Sequence, residues 1–547
     1  MLERPSRPTG QPAMRVLASP WIRACLLALA AAALCARPIA GNGYLLALDS
    51  SFGPRPSAVT ASFYAPVNVV LNLLQQLVGG SATGRIYLGL AVWLAAFCPM
   101  VLLRRSPWYA QCCAGLLGAL NPWVYDHLAI GQWGVVVAAA LLFLWLSAWH
   151  SLELQPGARA AIRLAVVGIA IAAFSANFIG ILVVLAAAAF VASRTWRFPQ
   201  RRRWTMAAGA MTAVALLYGA IPFFLAGGSS SYEAVQHIAR PDFVAFASTT
   251  DQSFGLLNLI GLYGHWTERL GQYPVATGGV GWWLVPVVVL VLLALVGAAT
   301  SSRSWMLVPA ALGLLVSAST ASAVGLSVFV AVDSHFPLIG VYREVGKWSS
   351  LWLVAMVALA AEGVAGLAAR ASGLRRELIA AVAGLVMALA TLVPAGSAQI
   401  RNLPAVLRPS QYPGDWYAAA QWMAANIPAL DEVAVLPWHL YQAYPFSHER
   451  LVANPAGAFF PGRLLTSQDP ELIGVAPAPG PHGIGTAVAL PQANCALASA
   501  LRSGGVRWVL VEGALPDTYG STQALLACGY SAVEGHSGQT QVLRSGS

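Results

Sequence analysis

Residues 129–149 read AIGQWGVVVAAALLFLWLSAW, a stretch without a charged side chain. The hydrocarbon core of a bilayer is about 30 Å thick, and an α-helix of about 20 apolar residues crosses it. The stretch therefore predicts a membrane-spanning helix. Ten further apolar segments predict a polytopic α-helical membrane protein of about eleven spans. Besides 129–149, the predicted spans are residues 22–41, 84–103, 107–121, 161–176, 178–194, 204–226, 279–299, 304–332, 347–369 and 377–395.

The composition supports this class of protein. Of the 547 residues, 58% are hydrophobic and 10% are charged, and the mean hydropathy is +0.65. These values exclude an ordinary soluble globular protein of this length. The formal net charge of +10 is compatible with nucleic-acid binding, but the arginines cluster in short runs between apolar segments, as in cytoplasmic loops. We therefore assign them to membrane topology and expect no nucleic-acid partner.

The arginine-rich loops alternate along the chain. Arg104, Arg159, residues 201–203, Arg303 and Arg370 mark the loops after the second, fourth, sixth, eighth and tenth predicted spans. Basic loops face the cytoplasm, so we expect a multi-pass protein of the plasma (inner) membrane with its N-terminus in the cytoplasm. The first apolar segment is interpreted as an uncleaved signal anchor, with a cleaved signal peptide as the alternative.

An odd number of spans places the C-terminal part, residues 396–547, outside the cell, beyond a transmembrane part of residues 1–395. DEVAVLPW and GGVRWVLVEG are short β-branched runs bounded by Gly, Pro and charge, and YPGDWYAAAQWMAAN is typical of a helix. The alternation predicts an extracytoplasmic α/β domain. Cys495 and Cys528 fit either a disulfide or two free thiols.

Asp49 follows the first predicted span in LDSSFGP, residues 48–54. The outer loop continues with VNVVLNLLQQLVGG, residues 67–80, which predicts an amphipathic helix in the membrane interface. A carboxylate beneath such a helix can take a proton from an acceptor hydroxyl. The alternative for Asp49 is a solvated or helix-capping carboxylate.

The second outer loop, NPWVYDHLAIGQWG at residues 121–134, contains the titratable pair Asp126 and His127 among aromatic residues. Trp and Tyr favour the headgroup level of a membrane. The pattern is compatible with an aromatic belt around a polar turn, and equally with a polar substrate-binding site.

The fourth outer loop places Glu233, His237 and Arg240 at i, i+4 and i+7, so a helix would bring them to one face. No His pair has the spacing of metal ligands. We therefore expect a polar cover over a substrate cavity and assign no metal site.

The fifth outer loop, DSHFPLIGVYREVGKWSSLW at residues 333–352, contains Arg343, Glu344 and Lys347 where a predicted span begins. Two cations beside the free N–H groups of a helix N-terminus suit a phosphate or pyrophosphate. An ion-pair network that anchors the helix end is the alternative.

Four stretches together, LDSSFGP, NPWVYDHLAIGQWGV, YREVGKW and VLPW, resemble the GT-C superfamily of polytopic membrane glycosyltransferases, particularly its poorly characterised bacterial and archaeal branches. The resemblance implies a GT-C-like helical bundle, a polyprenyl-phosphate sugar donor and a catalytic acidic residue in the first outer loop, here Asp49. It implies that Arg343 and Lys347 contact the donor phosphate. The DD or ExD pair of better-known members is absent from LDSS, so a divalent cation as cofactor stays open.

The sequence thus predicts an inverting glycosyltransferase that moves a sugar to an envelope glycan or lipid acceptor on the outer face, with Asp126, His127, Glu233 and His237 lining the cavity. A transporter or lipid flippase and a non-catalytic envelope-assembly scaffold are the alternatives. The predicted spans are nearly free of interior charge, apart from Glu362, which favours chemistry at the outer face. Three tryptophans of the C-terminal part suit either sugar stacking or core packing: Trp416, Trp422 and Trp438.

Overall fold

The helical part of the molecule follows the apolar segments of the sequence. The computed structural model describes residues 20–35, 41–57, 59, 61–225, 232–236, 238–251, 255–270, 283–391, 397–469, 480–490, 495–513, 515, 520–533 and 540–546. The first seventeen helices are α1 Pro20–Cys35, α2 Ala65–Val78, α3 Gly80–Leu102, α4 Trp108–Ala119, α5 Pro122–Ala129, α6 Trp133–Leu154, α7 Ala158–Phe174, α8 Phe178–Ala192, α9 Pro199–Ala215, α10 Leu217–Leu225, α11 Tyr232–Gln236, α12 Arg240–Ala245, α13 Leu284–Thr300, α14 Leu307–Ser319, α15 Ala323–His335, α16 Ser350–Ala369 and α17 Gly373–Thr391. Within the described residues, each predicted span overlaps a helix or a helix pair.

Three helical segments of the described chain are long and apolar enough to cross a membrane: Gly80–Leu102, Trp133–Leu154 and Val345–Ala369. Two bent helix pairs raise the number to five if each pair is one span, α9 with α10 at 44° and the segment Ser304–Ser319 with α15 at 97°. Membrane-spanning helices are therefore present, and the count of eleven stays a prediction.

The predicted span 304–332 is not one straight helix. It breaks between α14 and α15, where the Ser322 side chain accepts a hydrogen bond from the Gly325 N–H at 3.0 Å. Serine favours such N-caps because its oxygen satisfies a donor that the helix leaves free. The polar run SASTAS, residues 317–322, therefore ends the first helix, and a new helix starts after it.

α13 and α16 pack unusually close together. A Cβ on Gly297 would overlap the carbonyl oxygen of Leu359, and a Cβ on Gly363 would overlap that of Leu293. Small residues permit such close approach between membrane helices.

Glu362 is the charged residue of α16 that the sequence singled out as an exception. It is buried and forms an ion pair with Arg303, in the loop before α14. The carboxylate thus has an arginine counterion from outside its own helix.

The C-terminal part contains the predicted strand and helix alternation. Its helices are α18 Ser397–Arg401, α19 Leu403–Val406, α20 Gly414–Asn426, α21 Ala456–Phe459, α22 Ile484–Ala489, α23 Ala496–Ser503 and α24 Ser521–Ala527. Its strands are β1 Glu432–Leu436, β2 Tyr441–Ala443, β3 Leu451–Ala453, β4 Arg463–Leu465, β5 Trp508–Val511, β6 Tyr530–Ala532 and β7 Gln541–Ser545. Five strands form a mixed sheet in the order β4-β1-β5-β7-β6, and β2 and β3 form a separate antiparallel hairpin.

The sheet is mixed because β1 pairs in parallel with β4 and β5, whereas β7 pairs antiparallel with β5 and β6. The central strands β1 and β5 are covered on both faces, which explains their continuous apolar runs. A disulfide joins Cys495 and Cys528, which decides the question that the sequence left open. The domain boundary at residue 396 stays a prediction.

The three tryptophans of the C-terminal part belong to its core. Trp416 is 1% exposed and Trp438 5% exposed, and they lie in two separate clusters. Trp422 is partly buried and packs edge-on against Trp508, with ring centroids 6.0 Å apart. Core packing therefore accounts for Trp416 and Trp438, and Trp422 packs at the edge of the same core as Trp416.

Candidate active site

Asp49 lies in a tight turn that is held against the start of α6. Its backbone N–H donates to the Ile130 carbonyl at 2.8 Å, and the Ser50 hydroxyl donates to the Gly131 carbonyl at 2.6 Å. Gly131 has φ 88°, and a Cβ there would meet the Ala47 side chain at 2.7 Å. A glycine is thus required at position 131 for the two outer loops to meet.

Two side chains hold the Asp49 carboxylate. The Gln132 amide donates to Oδ2 at 2.8 Å, and the Tyr441 hydroxyl donates to Oδ1 at 3.2 Å. Along the chain, Gln132 lies 83 residues and Tyr441 lies 392 residues after Asp49. Each carboxylate oxygen has a second lone pair, so the group retains capacity to accept a proton.

Asp49 combines solvent access with a desolvated environment. Its side chain is exposed, as is that of Tyr64, which is 40% exposed, and neighbouring protein groups nevertheless desolvate the Asp49 carboxyl. Burial, and to a lesser extent the Glu344 carboxylate, raise the pKa of Asp49 to about 6, against the hydrogen bonds from Gln132 and Tyr441 and the charge of Lys347. A carboxyl with this pKa is suited to act as a general base near neutral pH.

Glu344 and Lys347 form an ion pair beside the base. The Lys347 ammonium lies 2.9 Å from Glu344 Oε2, and the same oxygen accepts from the Gln132 amide at 3.0 Å. Desolvation opposes ionisation of Glu344, but Lys347 and the hydrogen bond from Gln132 outweigh it, so the pKa of Glu344 lies below its usual value. One amide therefore links the candidate base to a buried ion pair.

Arg343 and Lys347 do not share a regular α-helix. Arg343 lies between the 3₁₀ segments Pro337–Tyr342 and Val345–Ser349, and α16 begins only at Ser350. The Arg343 guanidinium lies 5.1 Å from the centroid of the Phe246 ring. The structure therefore contains the Glu344–Lys347 ion pair of the network that the sequence offered as the alternative, and the charge of Arg343 also helps to lower the pKa of Glu344.

Asp126 and His127 lie buried on α5. The His127 ring lies tilted against the Trp123 ring, with centroids 4.0 Å apart, and meets the His265 ring edge-on, with centroids 4.7 Å apart. Burial and the charge of Glu268 raise the pKa of Asp126, whereas burial and His265 lower that of His127. Asp126 Oδ2 and His127 Nε2 have no hydrogen-bond partner among the described residues.

α5 is nevertheless joined to the site. Trp123 Nε1 donates to the Gly346 carbonyl at 3.1 Å, which fixes the segment that carries Glu344 and Lys347. The side chain of Glu233 and all of His237 lie outside the described residues, so their predicted place in the cavity stays a prediction. Within the described ranges, no three or more His, Cys, Asp or Glu side chains are arranged to hold a metal ion.

Gln132, Tyr441 and Tyr64 are site residues that the sequence did not single out. Gln132 is the polar residue of the turn in AIGQWG, and this isolated amide was a signal that could have been used. Tyr441 lies three residues beyond VLPW, and nothing in the sequence connects it with Asp49.

The fold defines the class of protein: a membrane protein with a GT-C-like fold, in which the acidic residue Asp49 is exposed. A cryo-EM structure of the arabinofuranosyltransferase AftD from Mycobacteria is similar, with a TM-score of 0.60 and 14% identity over 96% of this chain and 40% of that one. Two structures of a variant of that enzyme have TM-scores of 0.56 and 0.51, at 15% and 16% identity, over 96% and 95% of this chain and 42% and 41% of theirs.

The chain thus spans about 40% of the length of AftD. No protein-family model matches the sequence, and no curated protein matches it. The structural likeness therefore carries the assignment of the fold.

Proposed function

We propose that this chain is an inverting membrane glycosyltransferase that transfers a sugar from a polyprenyl-phosphate donor to an envelope glycan or lipid acceptor on the outer face of the plasma membrane. The observation that carries the proposal is the Asp49 carboxylate, which is open to solvent, fixed by two donors and has a pKa of about 6. The GT-C-like fold supports it, because AftD, which has a similar fold, is a glycosyltransferase.

In the proposed step, Asp49 takes the proton of an acceptor hydroxyl as that oxygen attacks the anomeric carbon of the donor. The bond from the anomeric carbon to the phosphate oxygen breaks, and polyprenyl phosphate leaves with the bonding electrons. Configuration at the anomeric carbon inverts because there is a single displacement. The proton passes to Asp49 and the bonding electrons pass to the phosphate oxygen, so the step needs no covalent enzyme intermediate.

Lys347 and Arg343 stabilise the departing phosphate. A lysine ammonium has three N–H donors, and Glu344 takes one of them at 2.9 Å. Arg343 supplies a second cation, which the Phe246 ring supports from one side. Fixed cations that face a developing negative charge lower the barrier to reaction.

In this proposal, the other residues predicted from the sequence line the substrate cavity around Asp49. Asp126 and His127 lie behind the Glu344–Lys347 segment, to which Trp123 connects their helix. Glu233 and His237 would cover the cavity from the fourth outer loop. The apolar faces of the membrane helices give the polyprenyl tail access from the bilayer. Whether transfer requires a divalent cation is decided by running the assay with and without one.

The test uses the full chain in proteoliposomes with labelled polyprenyl-phosphate sugars and isolated envelope glycan or glycolipid. Asp49→Asn keeps the shape of the side chain and removes the base, so transfer falls by a factor on the order of 10² to 10⁴. Glu377→Gln, an exposed carboxyl on α17, is the matched control and retains transfer.

Full transfer by Asp49→Asn, inserted at the wild-type level, would show that Asp49 is not the base. Movement of the labelled lipid across the bilayer without transfer would favour the flippase alternative, and neither activity would favour the scaffold.

A further inference from the structure

The hairpin of β2 and β3 connects the C-terminal part directly to the loop of Asp49. Its register pairs Tyr441 with Ala453. The Ala453 N–H donates to the Ala47 carbonyl at 3.1 Å, and the Ser51 hydroxyl donates to the Ala453 carbonyl at 2.9 Å. Ala453 thus bonds to residues on both sides of Asp49 while its strand partner, Tyr441, reaches the Asp49 carboxylate.

The other side of the hairpin is anchored on a buried carboxyl, Glu512, which is 1% exposed. The Tyr444 hydroxyl donates to Glu512 Oε2 at 2.9 Å, and the Gln442 and Asn454 amides approach the same oxygen at 3.4 and 3.5 Å. Glu512 follows β5 at the centre of the sheet. The hairpin is therefore held between the sheet and the Asp49 loop.

We propose that Tyr441 is a positioning residue for the base: its hydroxyl fixes the Asp49 carboxylate and favours its ionised form, so the C-terminal part completes the active site. This inference rests on the proposed function. Tyr441 Oη and Gln132 Nε2 bind different oxygens of the carboxylate, so together they restrict its rotation. A donor that bonds to a carboxylate stabilises the ionised form.

The groups that act on the charge of Asp49 come from four segments of the chain. Glu344 disfavours the ionised carboxylate, and Lys347, Gln132 and Tyr441 favour it. Tyr64 lies close enough to interact with Asp49, Glu344 and Lys347. Burial and the charge of Asp49 raise the pKa of Tyr441 itself, so the hydroxyl keeps its proton and stays a donor at neutral pH.

The experiment measures the ionisation of Asp49 without relying on transfer. The full-length protein is treated with a carbodiimide and an amine over a range of pH, and amide formation at Asp49 is followed by mass spectrometry and normalised to the exposed carboxyl of Glu449. Only the protonated carboxyl is activated efficiently. In Tyr441→Phe the midpoint for Asp49 moves to higher pH by roughly half a unit, which is a roughly threefold lower ionised fraction at acidic pH.

Tyr444→Phe is the matched control, because it removes a hydroxyl from the same hairpin that bonds to Glu512 and not to Asp49. In this variant the midpoint for Asp49 stays at the wild-type value. An unchanged midpoint in Tyr441→Phe, or an equal shift in both variants, would overturn the inference.

The transfer assay separates the inference from the proposed function. If Asp49→Asn abolishes transfer and Tyr441→Phe leaves the labelling midpoint unchanged, the proposed function stands and Tyr441 has no positioning role. If Asp49→Asn transfers normally while the midpoint still shifts in Tyr441→Phe, the contact exists but the proposed function fails, and with it the catalytic role of Tyr441.

Discussion

The Gln132 amide nitrogen lies 2.8 Å from Asp49 Oδ2 and also 3.0 Å from Glu344 Oε2. One NH₂ group therefore holds two carboxylates that would otherwise repel each other. Lys347 neutralises the second of them at 2.9 Å, which leaves Asp49 as the carboxylate with the raised pKa.

Gln132→Met removes this shared donor at nearly constant volume. We expect the pKa of Asp49 to rise, because a hydrogen bond to its ionised form is lost. Since the base must be ionised, transfer rises with pH through the pKa of Asp49, and the acidic limb of the pH profile of kcat/KM moves above its wild-type position near pH 6.

The control for this variant is Gln111→Met, a buried glutamine whose amide donates to the Ser106 carbonyl. It changes stability without moving the acidic limb. An unmoved limb in Gln132→Met would contradict the role given to the shared amide.

Lys347→Met leaves Glu344 without its counterion. Breaking a buried ion pair costs about 3 kcal/mol of stability, and the apparent Tm falls. In the double variant Lys347→Met with Glu344→Gln the uncompensated charge is gone, so stability recovers, whereas the KM for the polyprenyl-phosphate donor stays raised in both variants. Recovery of both stability and KM would show that Lys347 serves the fold alone.

Gly363→Ala places a methyl group against the Leu293 carbonyl at the contact of α13 and α16. We expect destabilisation of about 2 kcal/mol from the forced separation of the helices, measured as a lower apparent Tm in detergent. Gly209→Ala is the control, because a Cβ on Gly209 meets nothing within 4 Å. Equal Tm values for the two variants would refute the close contact.

Glu512 makes the stability of the C-terminal part depend on pH. Burial raises its pKa to about 8, from an ordinary value of 4.5. The folded state therefore keeps a proton that the unfolded chain releases, so stability is full below pH 4.5 and falls as pH rises towards 8.

Glu512→Gln removes that dependence, because the amide is neutral at every pH. Relative to wild type, its apparent Tm at pH 8 rises by on the order of 5 °C, with little difference at pH 4.5. If the apparent Tm of wild type and of Glu512→Gln changed with pH in the same way, Glu512 would be ionised in the folded state above pH 4.5, and its pKa would not be raised.

The predicted spans matched helices because length and hydropathy are local properties of the chain. The same holds for β1 and β5, whose buried runs identified the central strands. The break before α15 was missed because a serine N-cap ends a helix without interrupting a hydrophobic segment.

The candidate site was predictable only in part. Asp49, Arg343 and Lys347 stood out because charge is rare in this chain and each lies beside a predicted span. Gln132 and Tyr441 are not charged, and their contribution comes from distance and direction, which composition does not encode.

The sequence by itself thus determined a polytopic membrane protein, its apolar helices and a C-terminal α/β part, because the transfer of about 20 apolar residues into a bilayer depends on the segment alone. Only the tertiary structure decided which polar side chains meet. Asp49 and Tyr441 lie 392 residues apart, and they touch because the β2–β3 hairpin bonds to the loop of Asp49. That arrangement results from packing and hydrogen bonds between distant segments.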